Sequence, residues 1–415
     1  MNTNNLESKK VEIAIVVESF PSVSETFILN QILDLIDKGH QVTIFATKKG
    51  NTKILHQKII DYDLLSITRY QSNQPSKITR YFYFFRDCFY CRNRLNWKHL
   101  FAKFNLKKYG KKAINLDFYL KVRWLLVKKE FDIIHIHFGT IASRISDINI
   151  FNKKSKIVVS FHGYDIHPAR LATYRNTYKN LFKVADAITC NTKYTASLLE
   201  KLNFENKPFI LPVGLDTNFF KRNNLIRSSK NIRIIFVGRL ISLKGPEILI
   251  NVFEELIIQR EENLELIIIG DGPRKKHILE QVKKLGLEKK VSILGGLAQE
   301  AIKEELNNAD IFVFPGIVDD SGRAETQGLV IQEAQAMELP VIVSDVGGMK
   351  YGLRDGKTGF VVKSNDVKAF AGKIKYLINN KGKRILMGKA GRAFVIKNYD
   401  SKILGDKLEN IYRRI

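Results

Sequence analysis

Short apolar runs bounded by turn residues recur along the whole chain, and amphipathic stretches with helical spacing separate them. Buried runs of this kind alternating with helical patterns predict parallel sheets covered by helices, so the fold class is α/β. In the first half the predicted strands fall at 12–17, 41–46, 132–137, 157–161, 187–190 and 209–211. In the second half they fall at 232–237, 264–269, 291–294, 311–314, 341–343 and 360–362. Between the two sets, Leu211-Pro212-Val213-Gly214 and the polar stretch 221–231 break the apolar periodicity, which places a boundary there. The pattern therefore predicts two tandem Rossmann-like, doubly wound domains, 1–212 and 213–400, with a cleft between them and a closing helix at 401–415. Ligands of such sheets sit beyond the carboxyl ends of the strands, so the loops that follow strands are the places to search.

Composition changes this picture little. At 415 residues, 45% hydrophobic and 27% charged, the chain can build two cores and is not a disordered polymer. Charge changes it more. The formal net charge is +26, and residues 1–212 alone hold 34 Lys and Arg against 17 Asp and Glu. Within 77–129, fifteen basic residues face only Asp87 and Asp117, interleaved with Tyr81, Phe82, Tyr83, Phe84, Phe85, Phe89, Tyr90 and Trp97. That mixture suits an anionic membrane surface; a solvated basic helix with aromatics turned into the core is the plainer alternative, and an RNA-like partner the third. No apolar run is long enough to span a bilayer and the polar start MNTNNLESKK has no signal-peptide core, so the expectation is a cytoplasmic protein, peripheral on the membrane at most. Three cysteines cannot make a disulfide framework, and the lone Cys88-x-x-Cys91 has no second pair at zinc spacing, so packed thiols are expected.

The candidate chemistry is concentrated in the second half. The segment DDSGRAETQGLVIQEAQAMELP follows the predicted strand 311–314 and carries Glu325 and Glu333 eight positions apart. A helix starting near Gln327 would turn the free N–H groups of its first turn, around Gly328 and Leu329, toward the cleft, which suits a diphosphate. Glu333 would then lie almost two turns inside, roughly 9 Å along the axis. Two glutamates near a helix start are by themselves explained by dipole stabilisation and solvation. Upstream, however, Gly238-Arg239 closes a strand, and Lys244-Gly245 follows five residues later. Glycine permits close backbone approach, Arg offers a planar fork and Lys a point charge for phosphate oxygens. Gly270-Asp271-Gly272-Pro273 reads as a structural turn, and Leu294-Gly295-Gly296-Leu297 could let a flat base lie against the backbone. Asp319 and Asp320 read as solvated loop carboxylates.

In the first half, two strand ends carry histidines, Ile134-His135-Ile136-His137-Phe138-Gly139 and Ser160-Phe161-His162-Gly163-Tyr164-Asp165. A His just past a buried strand and followed by Gly can donate a hydrogen bond into the cleft; His162 is the first candidate and His137 the second. His135 is expected on the opposite face of its strand, in the core. Ser24 or Glu25, before a predicted helix 27–38, is read as its cap first and as a phosphate or acceptor contact second.

The ordered set Gly238-Arg239, Lys244-Gly245, Gly270-Asp271-Gly272-Pro273, then Glu325-x7-Glu333, resembles the C-terminal domain of family 4 retaining glycosyltransferases with the GT-B fold. SFPSVSETFILNQI, FHGYD and RAETQGLVIQEAQAM are similar, more narrowly, to bacterial surface-polysaccharide transferases of the colanic acid and amylovoran type, and the likeness covers nearly the entire chain. The resemblance implies that the C-terminal domain holds a nucleoside diphosphate sugar, a UDP-sugar first and a GDP-sugar second, and that the N-terminal domain holds a saccharide or polyprenyl-linked saccharide acceptor. It implies that Arg239 and Lys244 hold the diphosphate, Glu333 the ribose, Glu325 the donor sugar and His162 the sugar being transferred. It further implies retention at the anomeric carbon, no metal and no other cofactor, and a last helix that crosses back onto the N-terminal domain. The family's glycine-rich first loop is replaced here by PSVSET. The rival readings are a nucleotide-sugar epimerase or phosphorylase on the same fold and a basic nucleic-acid-binding protein, the latter favoured only by charge.

Overall fold

The computed structural model describes residues 10–415 except 23–24, 53–54, 72–74, 127–129, 147–153, 224–230, 260 and 262. Ser24, the three residues closing the basic segment 77–129, and much of the polar stretch 221–231 lie outside the described residues.

Thirteen strands form two sheets among the described residues, all of whose neighbouring strands run parallel. The first holds β1 (Glu12–Phe20), β2 (Gln41–Lys49), β3 (Thr68–Tyr70), β4 (Ile133–His137), β5 (Lys156–Phe161), β6 (Ala187–Cys190) and β7 (Phe209–Ile210), in the order β3-β2-β1-β4-β5-β6-β7. The second holds β8 (Ile232–Val237), β9 (Leu264–Ile269), β10 (Val291–Gly295), β11 (Ile311–Phe314), β12 (Val341–Ser344) and β13 (Gly359–Val362), in the order β10-β9-β8-β11-β12-β13. Twelve strands lie where the apolar runs place them. β3 was not expected, and β1 and β2 run three residues further because Ser19 and Phe20 go on pairing with Lys48 and Lys49 beyond the apolar stretch.

Both orders reverse direction once, between β1 and β4 and between β8 and β11. At such a switch point neighbouring loops diverge and leave a crevice at the carboxyl edge, and these two crevices hold the candidate residues. The central strands are buried on both faces, as their continuous Ile and Val runs require.

The chain passes between the sheets at two adjacent places. Leu215 N–H donates to Tyr399 O at 3.0 Å and Ser401 N–H to Leu215 O at 2.9 Å, so the outgoing and returning strands are tied together. Beyond that tie the helix Ser401–Arg414 lies on the first domain. Its Leu408, Ile411 and Tyr412 share a core with Ile13, Ile15, Ile28 and Ile32, beside the helix Thr26–Asp37. No helix among the described residues is long and apolar enough to cross a membrane.

Candidate active site

The loop after β8 is stitched to the loop after β9. Gly238 N–H donates to Ile269 O at 2.9 Å, Leu240 N–H to Asp271 O at 2.9 Å and Arg274 N–H to Leu240 O at 3.0 Å. A Cβ on Gly270 would stand 1.8 Å from Gly238 O, so the approach of the two strand ends requires glycine there. Asp271 accepts from its neighbours Gly272 N–H at 2.7 Å and Lys275 at 3.0 Å, as a structural turn would. Arg239 is exposed and makes no side-chain hydrogen bond among the described residues.

Lys244 ends a short turn, Ser242–Lys244, closed by Gly245 at φ 70°; a Cβ there would stand 1.9 Å from Pro315 O, in the loop after β11. The turn carries the Lys244 ammonium 5.4 Å above the Phe314 ring and into an ion pair with the Glu325 carboxylate. Burial alone would raise Glu325, but the charge and hydrogen bond of Lys244, with the backbone N–H groups of Gln327 and Thr326, hold it below the usual carboxylate range. Those two N–H groups reach Glu325 Oε1 at 3.4 and 3.0 Å.

The helix that follows, Leu329–Ala336, begins two residues later than its apolar pattern suggests. Gln327 is drawn away from it: its side-chain amide accepts from Val213 N–H and donates to Val213 O, both at 2.8 Å. Gly328 then takes φ 74°, and no side chain caps the helix start. Glu333 therefore lies five residues past Gly328, roughly 7.5 Å along the axis and closer to the helix start than expected. It is only 9% exposed and has no side-chain hydrogen bond among the described residues. Burial pushes its carboxyl up to about 7. A buried polar group without a protein partner is a position for a ligand's hydroxyl groups. Leu329 and Leu297 are half-buried against the second core, beside the free helix start and the Gly295-Gly296 turn respectively.

The histidines meet on one surface. His162 Nε2 and His137 Nδ1 share a hydrogen bond at 3.0 Å, and their rings stack at 5.3 Å. His135 does not lie on the opposite face. Residues two apart on a strand share a face, and its ring stacks on His137 at 4.5 Å. It is nevertheless a core residue, bonded to Tyr412 Oη at 2.7 Å and to Ser160 Oγ at 2.7 Å. Burial brings both His135 and His162 down to about 3 and His137 well below its ordinary value, so the ladder is neutral. Asp165 fixes the loop that carries His162, accepting from His162 N–H at 3.1 Å, Gly163 N–H at 2.9 Å and Gly139 N–H at 2.8 Å.

The two halves of the site touch through Thr326, one residue past Glu325. Its hydroxyl donates to His162 O at 3.3 Å and accepts from Asn191 Nδ2 at 3.1 Å, and its carbonyl accepts from Thr192 Oγ1 at 2.8 Å. Gly163 and Gly348 permit this approach, since a Cβ on either would fall within 2.3 Å of Thr326 atoms. Sequence reasoning missed Asn191, Thr192, Thr326, Gln327 and the Gly347-Gly348 turn; their order along the chain gives no sign that they meet. One loop reading is extended and one corrected. Asp319, in an exposed loop, also ties its own turn, accepting from Ser321 N–H and Arg323 N–H at 3.0 Å each and from the Arg323 guanidinium, while Asp320 is exposed. Glu25 stands at the cap position of Thr26–Asp37, yet its side chain makes no capping bond and engages Ser22 instead. Cys88 and Cys91 are free thiols, the first pushed up to about 11 by burial.

Two Rossmann-like domains in tandem are the GT-B architecture, here with a partly buried Lys–Glu pair at the second switch point and a histidine ladder at the first. Residues 24–219 match the model of Glycosyltransferase Family 4, and residues 217–394 match that of Glycosyl transferases group 1. The matches join end to end, and the chain belongs to the family 4 glycosyltransferases. It is 28% identical over 361 residues, 85% of this chain and 87% of the other, to an Escherichia coli protein named as the colanic acid biosynthesis glycosyltransferase WcaL. It is 26% identical over 414 residues, 95% of this chain and 98% of the other, to the amylovoran biosynthesis glycosyltransferase AmsK of Erwinia amylovora. Among solved structures, Anabaena Alr3699/HepE in complex with UDP and glucose superposes with a TM-score of 0.72 at 17% identity, covering 98% of this chain and all of that one.

Proposed function

We propose that this glycosyltransferase moves a sugar from a nucleoside diphosphate sugar to an acceptor hydroxyl, retaining the anomeric configuration, in bacterial surface-polysaccharide biosynthesis. A UDP-sugar is the first choice of donor and a GDP-sugar the second; the acceptor is a saccharide or polyprenyl-linked saccharide. The reaction takes place in the cytoplasm, with the protein peripheral on the inner face of the plasma membrane.

The observation that carries this reading is the enclosed Lys244–Glu325 pair next to an uncapped helix start. On donor binding, Lys244 would turn part of its charge to the diphosphate, joined by Arg239 from the exposed loop and by the N–H groups near Gly328 and Leu329. Positive groups aimed where charge develops stabilise a departing diphosphate without a metal ion. The bond from the anomeric carbon to the diphosphate oxygen breaks and the acceptor oxygen bonds the same face. The acceptor proton passes to a leaving phosphate oxygen. Glu325 contacts the donor sugar, while Glu333 accepts from ribose hydroxyls and Leu297 lies along the base. His162, neutral and bonded on Nε2 to His137, leaves Nδ1 without a partner among the described residues, open to a hydroxyl of the transferred sugar.

Mass spectrometry and NMR of the product test this. A new glycosidic bond with the donor's anomeric configuration supports it; free epimer, sugar phosphate or an inverted product overturns it.

A further inference from the structure

We propose that the first domain docks on anionic membrane by inserting an aromatic stripe, Ile78-Phe82-Phe85-Phe89 with Trp97 and Phe101, among the acyl chains, while the surrounding lysines meet the headgroups. This gives the peripheral location suggested above its contact surface and its mode of binding, and it concerns binding alone.

The helix Lys77–Tyr90 is pinned with one face inward. Phe84 is buried, and the helix's one acid, Asp87, is 3% exposed. Asp87 accepts from Tyr119 Oη and from Arg123 Nε at 2.6 Å, both on the helix Asp117–Leu126, and from its neighbour Arg86 at 2.8 Å. With Asp87 and Phe84 held inside, the opposite face must point outward. Ile78, Phe82, Phe85 and Phe89 lie there at 84%, 62%, 67% and 69% exposure. Their spacing of four, three and four residues keeps them within about 60° around a helix of 3.6 residues per turn. The turn after the helix brings up a second piece, Trp97–Ala102, whose Trp97 and Phe101 are 42% and 65% exposed and stack at 5.8 Å. Aromatic side chains carry roughly 150–250 Å² each, so the patch is on the order of 400 Å² or more, the size that marks an interaction site.

The sequence left open whether these rings turn inward. They divide: Phe84, Tyr119 and Phe118 pack, and Phe82, Phe85 and Phe89 do not. Charge selects the occupant. Lys77, Lys98, Lys107 and Lys111 of the same segment are exposed, and its other acid, Asp117, lies 3.8 Å from Arg80. Aromatic rings set among cations match the interface of an anionic bilayer, where each component finds its own layer. The patch grows from the core on one side of the first sheet, and the helix Ser401–Arg414 packs on the other, so docking leaves the returning helix uncovered.

The test is flotation of the full chain with vesicles of neutral phosphatidylcholine alone and with added anionic phosphatidylglycerol. Two variants accompany the wild type, Phe82→Ser/Phe85→Ser/Phe89→Ser and Lys77→Gln/Lys98→Gln/Lys107→Gln/Lys111→Gln. The wild type is expected to float with anionic vesicles, and each variant to partition at least about tenfold more weakly. Melting temperature and UDP release from the donor in vesicle-free solution should be unchanged, which separates failure of docking from failure of the transferase reading. Equal flotation of the aromatic variant, or no flotation of the wild type, overturns the proposal. So does a wild-type dimer that the aromatic variant loses, which would assign the stripe to a second copy of the chain, or salt-sensitive RNA binding without vesicle binding.

Discussion

Replacing Lys244 by Met removes the cation and keeps much of the apolar stem. The paired side chains are 19% and 13% exposed, so the loss belongs on the scale of broken buried pairs, about 3–5 kcal/mol, and not on that of surface pairs. The lower end is expected, because the backbone N–H groups of Thr326 and Gln327 still hold one Glu325 oxygen. About 3 kcal/mol lowers the melting temperature of a domain of this size by roughly 6–12 °C. The pH dependence has a definite sign. In the wild type Glu325 lies below its ordinary 4.5, so its contribution is present above that value and is lost only as pH falls through the lower folded value. In Lys244→Met, burial outweighs the two backbone N–H bonds that remain and raises Glu325, so the deficit is absent only below the lowered wild-type value and grows as pH rises. Thermal unfolding followed by circular dichroism at pH 5 and pH 8 should show the full gap at pH 8 and a smaller one at pH 5. The double variant Lys244→Met/Glu325→Gln should regain most of the loss at pH 8 while remaining inactive. A gap equal at both pH values, or a double variant no more stable than the single one, refutes the reasoning.

Glu333 has the opposite sign. Its folded value of about 7 exceeds its ordinary 4.5, so its carboxyl costs stability as pH rises between those values. Glu333→Gln should be more stable than wild type at pH 8, by on the order of 3 kcal/mol, and no more stable than wild type at pH 4, while donor affinity falls in titration calorimetry; a lower melting point at pH 8 contradicts this. Tyr412→Phe leaves His135 Nδ1 without its 2.7 Å partner and should cost about 1–3 kcal/mol, seen as faster amide exchange in the helix Ser401–Arg414. Gln327→Ala removes both bonds to Val213 and should cost about 2 kcal/mol and enlarge the donor-free protein in small-angle scattering; an unchanged profile counts against a clamp at the domain crossing.

What could be read from the sequence follows the range of the forces involved. The apolar runs located the central strands because a strand buried on both faces must be apolar throughout, and the edge strands β7, β10 and β13 kept enough apolar residues to be marked as well. β3 escaped because Thr68-Arg69-Tyr70 is a short edge strand, with solvent on one side and no apolar run to mark it. The pair Glu325 and Lys244 was visible as chemistry, since a carboxylate and a cation each follow a strand, but not as an ion pair. The contact joins residues 81 positions apart through turns that glycines shape. The helix start was misplaced because Gln327, an ordinary helix former, is recruited by a backbone 114 positions away. His135 was assigned to the wrong face through strand geometry alone, while its role as a core residue rests on Tyr412, 277 positions later.

The central claim is that the Lys244–Glu325 site receives a nucleoside diphosphate sugar. Melting temperatures of the wild type and Lys244→Met should be compared across UDP-, GDP- and ADP-sugars, each at about a hundred times the expected dissociation constant. One donor class, UDP-sugars first, should stabilise the wild type by about 2.7 kcal/mol, several degrees, and the variant by far less. No shift with any nucleoside diphosphate sugar, or a shift of equal size in Lys244→Met, would contradict the account.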